Sequence, residues 1–288
     1  MARTLGDILS WGKEKLKRSG VDDIDAELLL RSVLGQSRSQ LLLNLQAEIS
    51  LEKEKEYQNL IEKRSARIPL QYLTGKVEFY NIELRCDKRA LIPRPETEIL
   101  IETVLDKLSN FHSPKILDIG TGTGNIAIAL ARNLPDSHIT SVDISQDALD
   151  LAASNARLNG VEKQINLIQG DILDSVFIRT FGLFDCVISN PPYEATADKE
   201  TLQPEVAKYE PAIAIFTGDA PLIFYKTIVS NISYILNVQG LLAFEVGLGQ
   251  AGKIQDLMKP AFDKIAVTKD LAGIERIVTG IYAGTNKR

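Results

Sequence analysis

The residues best suited to chemistry stand where a short apolar run, Phe184 to Ser189, stops at an amide, two prolines and a ring: Asn190, Pro191, Pro192 and Tyr193. Proline lacks a backbone N–H, and Pro191 excludes Asn190 from the helical region, so the loop is stiff and poor in donors. Its acceptors are the Asn190 side-chain oxygen and the carbonyls of the proline pair. Such a corner suits a planar NH₂ group whose hydrogens are held while its nitrogen reacts, with the Tyr193 ring stacked on the plane. That nitrogen is a poor nucleophile because its lone pair is delocalised. The rotation barrier of roughly 18–20 kcal/mol about a peptide C–N bond shows the strength of amide resonance. Hydrogen bonds aimed at both N–H groups in a dry pocket favour electron density localised on nitrogen. On these four residues alone, a strand ending in a proline-rich turn is the plainer alternative.

A second constellation runs Leu117-Asp-Ile-Gly-Thr-Gly-Thr-Gly-Asn125, where a strand turns into a helix. Gly120, Gly122 and Gly124, with Thr121 and Thr123 between them, let the backbone approach a ligand closely. A dinucleotide fingerprint would place its third glycine at residue 125, which is asparagine, so the loop gives NAD little support. Asp143 follows Gly124 by nineteen residues and ends the next strand, where a carboxylate can accept both hydroxyls of a ribose. Loop and acid together fit S-adenosylmethionine, which has a ribose but whose sulfonium brings no phosphate to a helix terminus. Asp171, after the third strand, is placed for the adenine end; a solvated carboxylate at a strand end is the equal alternative.

These groups need a scaffold, and the hydrophobic pattern supplies one. Residues 4 to 68 carry helical periodicity throughout, with Thr4 and Asp7 spaced as a capping box and Ser50 as a further N-cap. Glu52 to Glu56 form a solvated face. From Gly75 to Ile92 the period falls to two around Tyr80-Asn81, which predicts a hairpin. Pro93-Arg94-Pro95-Glu96 then starts a helix running to about Leu108, with Arg94 held between the prolines. After residue 113 strands alternate with helices: Lys115–Ile119, His138–Val142, Ile165–Gln169, Phe184–Ser189, Leu241–Val246, Ile265–Thr268 and Ile277–Ala283. That is a mostly parallel sheet covered on both faces, and the short final connection makes the last strand antiparallel.

Composition narrows the function classes. The 288 residues are 44% hydrophobic and 25% charged, with a formal net charge of −5, a balance that disfavours a surface built for nucleic acid. Cys86 and Cys186 lie far apart, so neither a disulfide framework nor a metal cluster is expected, and a reducing cytoplasm fits. His112 and His138 have no partners at ligand spacing. The N-terminal stretch, with Arg3, Asp7, Lys13 and Glu14, predicts neither a signal peptide nor a membrane span, and runs such as Ile126–Ala131 fall well short of the roughly 20 residues that a spanning helix needs.

With these pieces in place the chain resembles, over nearly its full length, the HemK/PrmC family of peptide chain release factor glutamine methyltransferases. The likeness rests on Pro69-Leu-Gln-Tyr-Leu-Thr-Gly75, Leu91-Ile-Pro-Arg-Pro-Glu-Thr-Glu98, Asp118-Ile-Gly-Thr-Gly-Thr-Gly124, Val142-Asp-Ile-Ser145, Ser189-Asn-Pro-Pro-Tyr193, Tyr209-Glu-Pro211 and Asp270-Leu-Ala-Gly273. It implies a seven-stranded class I methyltransferase domain over residues 93–288, a helical domain over 1–74 that helps hold the release factor, and a linking hairpin over 75–92. It also implies methyl transfer from S-adenosylmethionine, leaving S-adenosylhomocysteine, to the glutamine of a Gly-Gly-Gln loop. By this carry-over Gly120, Thr121, Gly122, Thr123, Gly124, Asp143, Asp171, Ile172 and Asn190 meet the cofactor. Asn190, Pro191, Pro192 and Tyr193 grip the glutamine, with Arg94 on the substrate side. Ile172 stands where the family often has an aromatic residue beside adenine. Two other readings use the same residues: a methyltransferase for an exocyclic amine of DNA or RNA, and a non-catalytic nucleoside-binding protein. A dehydrogenase is a distant third.

Overall fold

The structure, a computed structural model, describes residues 3–284. They divide into two compact units, one of residues up to Lys76 together with Gln203–Tyr209, the other of Val77–Leu202 and the chain from Glu210 onward.

The first unit is a helical bundle of α1 (Leu5–Arg18), α2 (Ile24–Leu34), α3 (Arg38–Leu43), α4 (Leu51–Ser65) and α5 (Leu70–Thr74). The Thr4–Asp7 capping box starts α1, whose Leu5, Ile8, Leu9 and Leu16 are buried. Gly12 lies among them for a steric reason: a Cβ there would sit 2.1 Å from the Tyr57 hydroxyl oxygen. Tyr57 needs that space because its hydroxyl donates to the Ala26 carbonyl at 3.1 Å, which satisfies its buried polar end. Arg64, also buried, donates to Asp25 at 2.7 Å and to Glu205 at 3.2 Å. Glu205 and Tyr209, whose hydroxyl donates to the Ala66 carbonyl at 2.7 Å, bring the short helix Pro204–Tyr209 into the bundle.

The second unit opens at Val77, within the hairpin β1 (Lys76–Phe79) and β2 (Ile82–Arg85). Tyr80 and Asn81 both adopt positive φ, 47° and 60°, the backbone that a two-residue turn between right-twisted strands requires. There follow α6 (Glu96–Leu108), β3 (Lys115–Ile119), α7 (Asn125–Asn133), β4 (His138–Asp143), α8 (Gln146–Leu158), β5 (Ile165–Gln169) and β6 (Phe184–Ser189). The chain then gives α9 (Ile223–Ser230), β7 (Leu236–Glu245), α10 (Ala251–Met258), β8 (Phe262–Lys269) and β9 (Glu275–Tyr282). The seven-stranded sheet has the order β5-β4-β3-β6-β7-β9-β8. Strands β3 to β7 are mutually parallel, and β9, last in the chain, runs antiparallel to both its neighbours, as the short connection predicted.

Alternate residues of the central strands feed two cores. Ile116, Cys186, Ile188 and Ala243 pack with α6, α7 and the hairpin, whereas Leu117, Val187, Leu242 and Phe244 pack with α9 and α10. Strand β7 starts earlier than its apolar pattern shows, because Asn237, Gln239 and Gly240 interrupt the alternation. The register slips there, with Phe184 opposite Leu236 but Cys186 opposite Leu241.

Beyond the slip the register is regular, and it places the site. Val142, Ile119, Ser189 and Phe244 are aligned across four neighbouring strands. The next residues along those strands are Asp143, Gly120, Asn190 and Glu245. Strand order reverses at β3, with β4 on one side and β6 on the other, so the row marks the crevice where open α/β sheets bind ligands.

Candidate functional site

The crevice holds a cavity of about 320 Å³. Its floor is the turn from β3 into α7. The N–H groups of Gly120 and Thr121 both donate to the Val142 carbonyl, at 2.8 and 3.1 Å, which folds the turn back over the sheet edge. Gly124 caps α7 with φ 81°, and a Cβ there would press to 3.3 Å from the Ala152 Cα, so only glycine allows this loop and α8 to come so close. Gly120, Thr121, Gly122 and Thr123 line the cavity; Gly124 packs against α8 instead.

Asp143 lines the cavity and also organises it. One carboxylate oxygen accepts the Gly122 N–H at 2.9 Å and the other accepts the Ser145 N–H at 3.0 Å. Each oxygen retains lone-pair capacity for a ribose hydroxyl. Burial raises its pKa above the ordinary aspartate value, against the pull of those backbone donors. Asp118, fully buried at the end of β3, is pushed up to about 7 by burial, while the Ser141 hydroxyl donates to it at 3.2 Å.

The far end of the cavity is aliphatic. Ile172 is buried at its edge, and Leu173, Ile144 and Ala148 complete the wall. Asp171 lines the same end but is exposed, with one oxygen already accepting the Leu173 N–H at 2.8 Å.

At the near end stand Asn190, Pro191 and Pro192. Ser189 pins this corner to the loop by donating its hydroxyl to the Ile119 carbonyl at 2.8 Å. The Asn190 side chain donates its Nδ2 to the Thr97 hydroxyl oxygen at 3.2 Å, and Thr97 in turn donates to Glu245 at 2.6 Å. Tyr193 does not line the cavity. Its ring packs at the margin of the α9–α10 core, where a Cβ on Gly247 would lie 2.9 Å from it, and its carbonyl accepts from Gln250 at 3.0 Å. Burial raises its hydroxyl far above the ordinary tyrosine range, which keeps it neutral. The aromatic ring on the cavity wall is Phe224.

Arg89 and Arg94 also line the cavity, and each is neutralised: Arg89 pairs with Asp87 at 2.7 Å, and Arg94 pairs with Glu210 at 2.5 Å. Glu210 accepts the Ile92 N–H at 3.0 Å as well, so the Arg94 guanidinium ties down the wall that leads into α6. Both cations on the wall are thus already paired, which disfavours a phosphate even though α7 starts at the cavity without a side-chain cap; the wall offers instead the Asp143 carboxylate and an aliphatic end. It fits a nucleoside carrying a positive sulfonium.

Sequence patterns singled out Asn190, the prolines, the glycine loop, Asp143 and Ile172, and all but Gly124 among the glycines meet in one cavity. Thr97, Glu245, Leu173 and Phe224 were not singled out. Thr97 lay within a recognised motif, and Glu245 could have been found by aligning the strand ends, since each parallel strand delivers one residue at that level. Among the described residues no group of acidic, histidine or cysteine side chains is arranged to hold a metal ion, and no helix is long and apolar enough to cross a membrane.

Comparison with known proteins places the chain in a family. Residues 7–75 match the family described as the PrmC N-terminal domain, and residues 95–208 the one described as the methyltransferase small domain. A release factor glutamine methyltransferase of Deinococcus radiodurans is 38% identical over 282 residues, 97% of this chain and 99% of that protein. Another, from Thermodesulfovibrio yellowstonii, is 40% identical over 235 residues, 80% of this chain and 82% of its own. Among solved structures, the hMettl16 catalytic domain in complex with a 3′UTR hairpin superposes with a TM-score of 0.57 at 14% identity, over 81% of this chain and 82% of that one. At such identity the likeness concerns the fold alone.

Proposed function

The chain belongs to the release factor glutamine methyltransferase family, and we propose that Asn190, Pro191 and Pro192 are the residues through which it methylates the side-chain nitrogen of a release-factor glutamine. One observation carries this assignment. The acceptor-rich corner and the glycine loop with Asp143 open into the same cavity, levelled by the register of four parallel strands.

S-adenosylmethionine supplies a methyl group activated by a sulfonium. The chain's residues meet the remaining demands. Asp143 would accept the ribose hydroxyls, the Gly120–Thr123 loop would border the ligand, and Ile144, Ile172 and Leu173 would cover the adenine. The Asn190 Oδ1 and a carbonyl of the Pro191-Pro192 pair accept the two hydrogens of the glutamine NH₂, which sets the plane of the amide and turns its nitrogen lone pair toward the methyl. Tyr193 supports the corner from the neighbouring core, and Phe224 offers the ring on the wall. Orientation of this kind lowers a barrier by roughly 7–11 kcal/mol. The new N–C bond forms as the C–S bond breaks. An N-alkylated, protonated amide is a strong acid and sheds its proton to water, so no strong base is required.

The glutamine lies in the Gly-Gly-Gln loop of the partner, and the helical unit, which carries no catalytic constellation among its described residues, serves as the docking module for that protein. Cys86 and Cys186 are buried free thiols, which supports a place in the reducing cytoplasm. Mass spectrometry of a release factor before and after incubation with the enzyme and S-adenosylmethionine tests the reading. One methyl on the glutamine is expected; transfer to DNA or RNA, with the release factor unmodified, would establish the exocyclic-amine alternative.

A further inference from the structure

The Asn190 amide has two ends of similar shape and opposite polarity, and only one serves the reaction. Its oxygen accepts a substrate N–H, whereas its NH₂ would meet another NH₂ donor to donor. Nothing in the loop itself selects between them. The selection comes from two buried residues on other elements, Thr97 in the first turn of α6 and Glu245 at the end of β7, which are 1% and 2% exposed.

We propose that Glu245 and Thr97 form a polarised relay that fixes which end of Asn190 faces the reacting nitrogen. This rests on the role assigned to Asn190 above. A carboxylate only accepts, and a threonine hydroxyl has one hydrogen. Thr97 gives that hydrogen to Glu245 Oε2 at 2.6 Å, so it meets Asn190 with lone pairs. Asn190 therefore turns its Nδ2 to Thr97, at 3.2 Å, and its Oδ1 is left for the cavity. A reversed amide would set Oδ1 against an oxygen whose hydrogen is already spent. Glu245 and Asn190 are neighbours because each is the next residue past the aligned pair Phe244 and Ser189. Placing a carboxylate in a buried position is costly, and a fixed direction for the hydrogen-bond chain is what it provides. Thr97 and Glu245 are positioning residues: they act on the substrate through Asn190.

The test is a mutant cycle on the full-length enzyme with a release factor and S-adenosylmethionine. Thr97→Val keeps the side-chain shape and removes the relay; it is expected to lower kcat by about 10- to 100-fold, the scale of one mispaired buried polar group. The Kd for S-adenosylmethionine should hold within about twofold, since Asp143 and the glycine loop are untouched. Thr97→Ser should restore most of the rate. Asn190→Ala should lose about 10²- to 10³-fold, and adding Thr97→Val to it should cost nothing more, because the relay has no target left. Should Thr97→Val not fold, Thr97→Val/Glu245→Gln, which leaves no unpaired charge, replaces it in the cycle. A Thr97→Val enzyme with near-normal kcat, or a loss that multiplies with that of Asn190→Ala, overturns the relay. Near-normal turnover by Asn190→Ala alone overturns instead the role of Asn190 on which the relay depends.

Discussion

Asp143 accepts the backbone N–H of Gly122 at 2.9 Å, so the carboxylate that faces the cavity also holds the shape of the glycine loop. Ser145 donates to its other oxygen. Both oxygens are therefore committed on one side to the protein and offered on the other to a ligand. Asp143→Asn replaces one oxygen with an NH₂ that confronts a backbone donor. The expected result is a Kd for S-adenosylmethionine raised by about 10- to 100-fold, corresponding to one lost charged hydrogen bond and one mispaired donor. Isothermal titration calorimetry measures it, and unchanged affinity would remove Asp143 from the cofactor site.

Leu173 is 38% exposed at the aliphatic end of the cavity, where its remaining surface is free to be covered by a bound base. Truncation in Leu173→Ala should forfeit about 1 kcal/mol of apolar burial, roughly a fivefold weaker cofactor. The release-factor KM should stay as it was. If the opposite pattern emerged in steady-state kinetics, with substrate affinity falling and cofactor affinity intact, the cavity ends would have been assigned the wrong way round.

Burial pushes Glu245 from the usual 4.5 up to about 7; Glu96 adds to the rise, whereas the Thr97 hydrogen bond, Arg276 and the nearby Asn190 amide oppose it. The titratable neighbours Tyr193 and Tyr225, the latter donating its hydroxyl to the Glu245 carbonyl at 3.0 Å, are raised by burial and stay neutral. The ionised form is the one that accepts from Thr97, so the active arrangement is present above that value and lost as pH falls through it. A protonated Glu245 becomes a donor, which frees the Thr97 hydrogen to turn Asn190 around. Turnover should therefore show an acid limb near neutrality in the native enzyme. The limb should be absent from Thr97→Val, which is slow at every pH. A limb of unchanged midpoint in that variant would assign the titration to another group.

Gly12→Ala is expected to destabilise the helical unit by about 1–3 kcal/mol, the usual cost of overpacking a filled core. The added methyl would lie 2.1 Å from the Tyr57 oxygen and 2.9 Å from its ring carbon. Thermal unfolding followed by circular dichroism reads the loss. Cofactor affinity should not move, because no described residue of that unit lines the cavity.

The parts of the site legible in the sequence are those encoded within a few residues. The prolines after Asn190, the glycine spacing and the acid closing β4 each advertise themselves locally, and the strand period supplied the sheet with its final reversal. What escaped depends on residues brought together from afar. Glu245 lay unremarked inside the predicted strand Leu241–Val246, and only the register past the slip at Phe184 and Cys186 puts it beside Asn190. Tyr193 was expected to stack on the substrate plane because it adjoins the prolines, yet the turn carries its ring to the margin of the adjoining core. The short helix Leu70–Thr74 and the early start of β7 at Leu236 were obscured by brevity and by interrupting polar residues. Gln203–Tyr209 joins the helical bundle through Glu205 and Tyr209, a pairing across more than a hundred residues that no local period encodes.

The levelling of the strand ends makes tolerance to insertions lopsided. One extra residue near the C-terminal end of β3, β4, β6 or β7 would shift its terminal group by about 3.3 Å and swap its side chains between the two faces. Lengthening the opposite ends, as at 135–137 or 180–183, would only enlarge a loop on the far rim. Diversification of this scaffold, natural or designed, is thus confined to one edge of the sheet by geometry.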